Sequence, residues 1–484
     1  MADKLADGLA DGLREEAFSK KEISGMFDGP ILKVLIKLAL PIFAGMMFHL
    51  LYSIVDTIWI SRIDLNDPSY VGGTGMVFPI LFLAIAIGSG ILIGTSSLVA
   101  RSIGEKNVHI LNRTAESGLI MALVISILLI TLGYIFDEQL INILGAKGDY
   151  YTHALEYFRF ILPGMALMFI GNVFNGILQG EGLMDIVMRA MIIATLTNII
   201  LDPIFIFLLK MEVKGAGLAT VISQGVAAVY VVRFFFLKKT LAQVEWKLRN
   251  ANLGIIKKIA AVGFPQTAGH ITMAVSFLFF NRIVVSLDRA ALTAFSICGR
   301  FDQVIIFPIL AIASSMITMT GQNFGRKKFH RVENIWKTGL LLTSGVVITL
   351  AAIMFIFAPV IYPFFTNIDK VVWYAVRQTR VVEFTFIFAA IAILARSVFL
   401  AMGKPLPALL ITVLRLAGIA IPMAYFYVYV LDLGIYGVWF GIITGNVSGS
   451  IISMVWINRA TKHMKNKNIN ETICRGGSVS RPDC

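Results

Sequence analysis

The stretch MIIATLTNIILDPIFIFLL, residues 191–209, decides how this chain is read. It is long enough to cross a bilayer, and Asp202 is its only charged residue. A second stretch, LALPIFAGMMFHLLYSIVDTIWIS, residues 38–61, repeats the pattern with Asp56 as its only formal charge. A carboxylate at membrane depth costs about 2.5–3.5 kcal/mol on insertion scales, so such a group faces a cavity or a partner and marks an ion path.

The composition around these stretches is that of a membrane protein. Of 484 residues, 57% are hydrophobic and 15% charged, where a soluble domain carries about 25% charged residues. A window of about 19 residues finds roughly twelve apolar spans. They lie near 32–61, 70–101, 113–135, 154–180, 187–210, 216–237, 254–286, 290–321, 334–365, 373–402, 406–431 and 436–459. The expected fold class is an all-α polytopic membrane protein with twelve transmembrane helices in two pseudo-symmetric six-helix lobes.

The net charge of +13 is distributed as a membrane protein distributes it, not as a nucleic-acid binder would. With the N-terminus inside, the inner set includes Lys20, Lys21, Arg101, Lys106, Arg113, Lys238, Lys239, Arg326, Lys327, Lys328, Arg331, Arg396 and Lys404. The opposite loops hold only Arg62, Lys147, Lys210, Lys214, Arg282, Arg289 and Lys370. This asymmetry puts both termini in the cytoplasm of a plasma-membrane protein. No cleavable signal segment is expected before the first span. Cys298, Cys474 and Cys484 form no disulfide or zinc pattern.

The chain also repeats itself. LKVLIKLALP ending at Pro41 corresponds to IKKIAAVGFP ending at Pro265. SIGEKNVHILNRTAESGL (102–119) corresponds to NFGRKKFHRVENIWKTGL (323–340), and LQGEGLMD (178–185) to AMGKPLPA (401–408). Pro203 pairs with Pro422 and Gly217 with Gly437, so the offset stays between 219 and 224. Six spans per half give two halves entering from the same side, with a substrate path between them. The expected organisation is a cytoplasmic leader over 1–31, an N-terminal lobe over 32–239, a linker over 240–253, a C-terminal lobe over 254–459 and a tail over 460–484.

Several segments resemble the multidrug and toxic compound extrusion (MATE) family. They include residues 38–61, IGSGILIGTSSLVARSIGEKN (87–107), NIILDPIFIF, KGAGLATVISQ, GRFDQVIIFP, FGRKKF, MGKP and RLAGIAIPMAYFYV. The likeness spans about residues 30–460, and NIILDPIFIF and GAGLATVISQ look most like the DinF-like branch. The resemblance implies two lobes arranged as a V and cation-driven export. It matches coupling carboxylates to Asp56 and Asp202, nearby polar positions to Tyr52, Asn172, Asn175, Asn198 and Thr220, and a bending proline to Pro41.

Spacing agrees with that set. Asn198 and Asp202 are four apart, as are Tyr52 and Asp56, and Asn172 and Asn175 are three apart, so each pair shares a helix face. Carboxylate, amide and hydroxyl oxygens suit a shared proton, or Na⁺ at Asp56, Asn198, Asp202 and Thr220. Span seven, FPQTAGHITMAVSFLFF, carries no acid. In the other half Asp302 beside Arg300 reads as a simple ion pair, and Glu383 is a further acid.

The expected function is a monomeric H⁺- or Na⁺-coupled antiporter. It exports cationic amphiphilic small molecules, with membrane lipid and no nucleic acid as partner and no cofactor beyond the coupling ion. The alternative is a lipid-linked oligosaccharide flippase of the same superfamily. An enzyme is disfavoured: the only Gly-Asp pair, Gly148-Asp149, lies in an external loop, and no DDxxD, HExxH or phosphate-loop motif occurs. The sequence leaves a channel open, although duplicated halves with one-sided acids favour alternating access.

Overall fold

Apolar runs of this length must satisfy their backbone groups internally, and helices do so. The computed structural model describes residues 21–244 and 250–476, and among them it contains no strand. The first 20 residues of the leader, linker residues 245–249 and the last eight residues of the tail lie outside the described residues.

The N-terminal half runs α1 (Lys21–Asp28), α2 (Ile31–Ser61), α3 (Ser69–Met76), α4 (Phe78–Gly104), α5 (Val108–Ile135), α6 (Asp137–Ile143), α7 (Asp149–Ile161), α8 (Gly164–Glu181), α9 (Met184–Pro203) and α10 (Glu212–Phe236). The C-terminal half runs α11 (Leu253–Leu287), α12 (Arg289–Gly325), α13 (Phe329–Ile361), α14 (Asp369–Val382), α15 (Phe386–Ala401), α16 (Pro405–Val413), α17 (Ile421–Tyr429) and α18 (Ile435–Gly476). Among the described residues, eleven helical stretches are long and apolar enough to cross a membrane, or twelve when α7 and α8 count as one span. The protein is an integral membrane protein of the helical class.

Breaks in the helices fall where the backbone chemistry puts them. The expected fourth span, 154–180, is bent by 45° between α7 and α8. Pro163 sits at that bend and has no amide to continue the ladder. After Pro203, α9 widens into a π-turn over Ile204–Leu208, and the repeat-equivalent region carries another over Leu414–Ala420 just before Pro422. The last helix runs past residue 459 to Gly476.

The described helices gather into two compact units. One takes residues 38–99 and 107–271; the other takes the described parts of 1–37 and 272–484 together with 100–106. The chain therefore leaves one unit and enters the other within α2, about one turn before Pro41. In the first unit the linker is strapped down. Glu181 accepts hydrogen bonds from the Leu241 and Ala242 amides at 2.9 and 2.8 Å, and Asn112 accepts one from Gln243 at 2.9 Å.

In the second unit α1 is pinned by its buried Met26 and Phe27. Arg331 donates to the Met26 and Gly29 carbonyls at 3.2 and 2.6 Å, and the Arg326 guanidinium lies over the Phe27 ring, 3.4 Å from its centroid. The repeat-equivalent Gly104 and Gly325 meet back to back there. A Cβ on Gly325 would fall 2.4 Å from the Arg101 carbonyl oxygen and 3.0 Å from the Gly104 Cα.

Candidate functional site

The candidate site lies in the unit that holds α9. Asp202 and Asn198 share a face of α9, and both are fully buried. Asn198 Nδ2 donates to Asp202 Oδ1 at 3.1 Å, which fixes the carboxyl group in place. Across from it, Asp56 on α2 comes within hydrogen-bond reach of Asp202. Two bare carboxylates repel at that distance, so a proton or a cation between them is what satisfies both.

α10 supplies the third wall. Thr220 is buried, and its hydroxyl donates to the Ala216 carbonyl at 3.1 Å. Its proton is thus committed, so Tyr52 is the donor in the 3.2 Å contact between Tyr52 Oη and Thr220 Oγ1. Asn198 Nδ2 reaches the same oxygen at 3.5 Å. α2 is held against α9 by the Thr195 hydroxyl, which donates to the Phe48 carbonyl at 3.3 Å. His49 stacks on Tyr52 with centroids 5.4 Å apart, which orients the tyrosine ring.

Five of the residues singled out from the sequence therefore stand together: Tyr52, Asp56, Asn198, Asp202 and Thr220. Among the described residues, Asn172 and Asn175 on α8 make no hydrogen bond to them. Asn172 instead packs against Gly88, where a Cβ would meet its Nδ2 at 2.5 Å. Pro41 lies within α2, about four turns before Asp56. Tyr157 on α7 was not legible in the sequence. It is 6% exposed and sits within electrostatic reach of Asp56, Tyr52 and Asp202. Its signal, a tyrosine in an amphipathic helix broken by Pro163, is indistinguishable from ordinary packing.

The donor chemistry suits a hard cation or a proton. Asp56 Oδ1, Asn198 Oδ1 and Asp202 Oδ2 are buried oxygens without a hydrogen-bond donor. Oxygens of this kind are what Na⁺ prefers. Thr220 Oγ1 differs, because its proton and both lone pairs are already engaged, so a cation there has to displace Asn198 or Tyr52.

The other unit corrects one expectation. Asp302 does not pair with Arg300. Residues two apart on a helix do not face each other, and Arg300 is exposed. Asp302 instead meets Glu383, which is 2% exposed, within hydrogen-bond reach. Among the described residues no cluster of three or more His, Cys, Asp or Glu side chains is arranged to hold a metal ion.

A duplicated helical membrane protein with paired acids buried inside its spans is, as a class, a polytopic transporter. The chain belongs to the MatE family, whose profile matches residues 41–204 and 265–426, more than half of its length. It is 25% identical over 437 residues to the probable multidrug resistance protein NorM of Thermotoga maritima, covering 88% of this chain and 92% of that protein. It is 24% identical over 417 residues to an FAD transporter of Shewanella oneidensis, covering 84% and 90%. Among solved structures it resembles the outward-facing conformation of a multidrug resistance MATE family transporter of the MOP superfamily. That match has a TM-score of 0.86 and 27% identity, and covers 91% of this chain and 98% of that one. The chain is a transporter, not an enzyme.

Proposed function

We propose that the protein exports small organic cations, drugs among them, in exchange for H⁺ or Na⁺ bound at the Asp56–Asp202 pair. The observation that carries this reading is the approach of two carboxyl groups inside one helical unit, ringed by Asn198, Thr220 and Tyr52. Such a pair holds one proton or one cation well and two negative charges badly. The multidrug names of the relatives support the substrate class. The flippase alternative has no observation at this acidic site in its favour.

In this reading the cation enters between Asp56 and Asp202 and removes their repulsion. α2 then bends at Pro41, where the missing amide leaves a weak point. The bend closes the substrate space and expels the solute, and release of the cation to the other side resets the unit. The protein works as a monomer in the plasma membrane, surrounded by lipid, with both termini in the cytoplasm and the acid pair characteristic of the DinF-like branch.

The test is dye efflux from proteoliposomes under a Na⁺ gradient and a pH gradient imposed separately, comparing wild type with Asp202→Asn. The wild type should respond to at least one gradient and the variant to neither. A variant that responds as the wild type does removes the pair from coupling.

A further inference from the structure

Two arginines inside the helices of the C-terminal unit have no acid to answer them among the described residues. Arg396 lies five residues before the end of α15, about 7–8 Å from it, and Arg415 ten residues after the start of α16, about 15 Å in. With a hydrocarbon core about 30 Å thick, Arg415 stands near mid-membrane. The sequence had counted Arg396 with the cytoplasmic cations at the end of span ten; in the structure it lies inside α15.

Both arginines are half-buried against protein. Ala392, Phe399 and Leu400 share the face of α15 that bears Arg396, and each is 2% exposed or less. The stem of Arg415 lies on α18, where a Cβ on Gly449 would meet its Cγ at 2.7 Å and its Cβ at 2.9 Å. Gly445, one turn earlier, lets the Arg415 carbonyl come within 2.8 Å of where its Cβ would be. This carbonyl belongs to the π-turn over Leu414–Ala420, a widened turn of the kind that recurs at functional sites. Arg415 Nη1 donates to Asn446 Oδ1 at 3.0 Å, and Asn446 Nδ2 donates to Thr385 Oγ1 at 3.3 Å. One corner of the guanidinium is thus held by a buried neutral chain that leaves its charge intact.

The charges themselves are unanswered. Arg396 lies within electrostatic range of Arg415, and its like charge acts against it. Arg396 Nε is buried with no hydrogen-bond partner. Among the described residues no carboxylate lies within ion-pair distance of either arginine, and the nearby acids Asp302 and Glu383 are engaged with each other. Two like charges held together at membrane depth are costly, and arginines inside a membrane ordinarily pair or serve a ligand. The shape of the guanidinium names the ligand, because its planar fork matches the oxygens of a carboxylate or phosphate.

We propose that Arg396 and Arg415, positioned by Asn446 and the Gly445/Gly449 face of α18, form a binding site for the phosphate or carboxylate group of an organic anion. Arg415 is the deep contact and Arg396 the one nearer the cytoplasmic end of the helices. The ligand is either a solute in transit or the headgroup of an anionic lipid.

The probe is carboxyfluorescein, a soluble multivalent organic anion, and binding is read by fluorescence anisotropy. The full-length protein is held in nanodiscs of phosphate-free galactolipid. Wild type should bind the dye, and the R396Q/R415Q double variant should bind it at least about tenfold more weakly, as loss of charge-assisted hydrogen bonds requires. Arg415→Lys, which keeps the charge and loses the fork, should fall between the two. Binding of the cation rhodamine 6G serves as a folding control and should be the same in all three proteins; its loss everywhere would count against the organic-cation reading alone. Displacement of the dye by inorganic pyrophosphate identifies a soluble anion. Displacement by phosphatidylglycerol added to the disc, but not by pyrophosphate, identifies a lipid headgroup. No binding by the wild type, or equal binding by the double variant, overturns the proposal.

Discussion

Replacing Asp202 by asparagine separates coupling from folding. The carboxyl group accepts one hydrogen bond from Asn198 at 3.1 Å and faces Asp56. An asparagine has the same size, can still accept that bond, and can turn its amide toward Asp56 as a donor. The substitution should therefore change stability by less than about 1 kcal/mol. Coupling should respond very differently. On the proposed coupling, two carboxyl groups side by side carry one exchangeable charge, so one cycle should exchange one proton for one monovalent organic cation. That exchange moves no net charge, and only the pH difference drives it. One pH unit is worth about 1.4 kcal/mol, which sustains a roughly tenfold solute gradient. With the variant the gradient should collapse to about one. A Na⁺ gradient of about tenfold gives the same arithmetic if Na⁺ is the coupling ion. The assay is uptake of a fluorescent organic cation into proteoliposomes, with the membrane potential clamped at zero by valinomycin and equal potassium. Because the acids act as a unit, Asp56→Asn and the double variant should match the single variant, with no further loss. Retained accumulation in Asp202→Asn refutes the argument. So does a wild-type gradient near a hundredfold per pH unit, which would require a second exchanged proton.

Further consequences can be checked independently. Pro41→Ala restores the missing amide in α2, so transport should slow while a distance measurement across the first unit shows α2 fixed in one conformation; normal transport with a straight α2 at low and high pH would defeat the bending step. Gly325→Ala places a methyl group 2.4 Å from the Arg101 carbonyl oxygen; it should destabilise the protein by about 1–3 kcal/mol, read as a lower melting temperature in detergent. Asp288 caps α12 by accepting the Ala290 amide at 2.8 Å and pairs with Lys370 at 2.5 Å, and the Lys370 contact holds its carboxyl below the usual carboxylate range. Asp288→Ala should cost about 1–2 kcal/mol at neutral pH. Because the folded value is the depressed one, the difference should be full above the ordinary carboxylate range and vanish as pH falls through the lowered value. A cysteine at Gln243, in a chain lacking the native cysteines, should be labelled by an impermeant reagent only after the membrane is opened; labelling of intact cells would invert the topology.

Much of the fold was written in the sequence because the bilayer is a demanding solvent. A run such as 191–209 has no option but a helix, and a lone Asp202 within it advertises itself against an apolar background. Tyr52, Asp56, Asn198 and Asp202 were legible by the same contrast combined with helical spacing. Thr220 was found only through the family likeness, since one threonine in KGAGLATVISQ carries no periodic signal. What the sequence could not convey was partnership across the chain. Asp302 looked paired with Arg300 because they are neighbours in sequence, yet a helix turns residues two apart away from each other, and Glu383, 81 residues on, takes that place.

The same limit hid the arginines, and their case carries a general point about charge in membrane proteins. Counted along the chain, Arg396 adds to a cytoplasmic excess and Arg415 passes as a stray cation in a span. Placed in three dimensions they become a local excess of positive charge, supported by a neutral chain through Asn446 and Thr385. The N-terminal acids are likewise supported by neutral groups, namely Asn198, Thr220 and Tyr52. In each unit like charges are brought together and their neighbours are amides and hydroxyls, which orient a charged group without cancelling it. Countercharges of the opposite sign would have made both sites cheaper to bury and unable to respond to a ligand. On the two proposals made above, the Asp56–Asp202 pair and the Arg396–Arg415 pair are each completed by a ligand of the opposite sign.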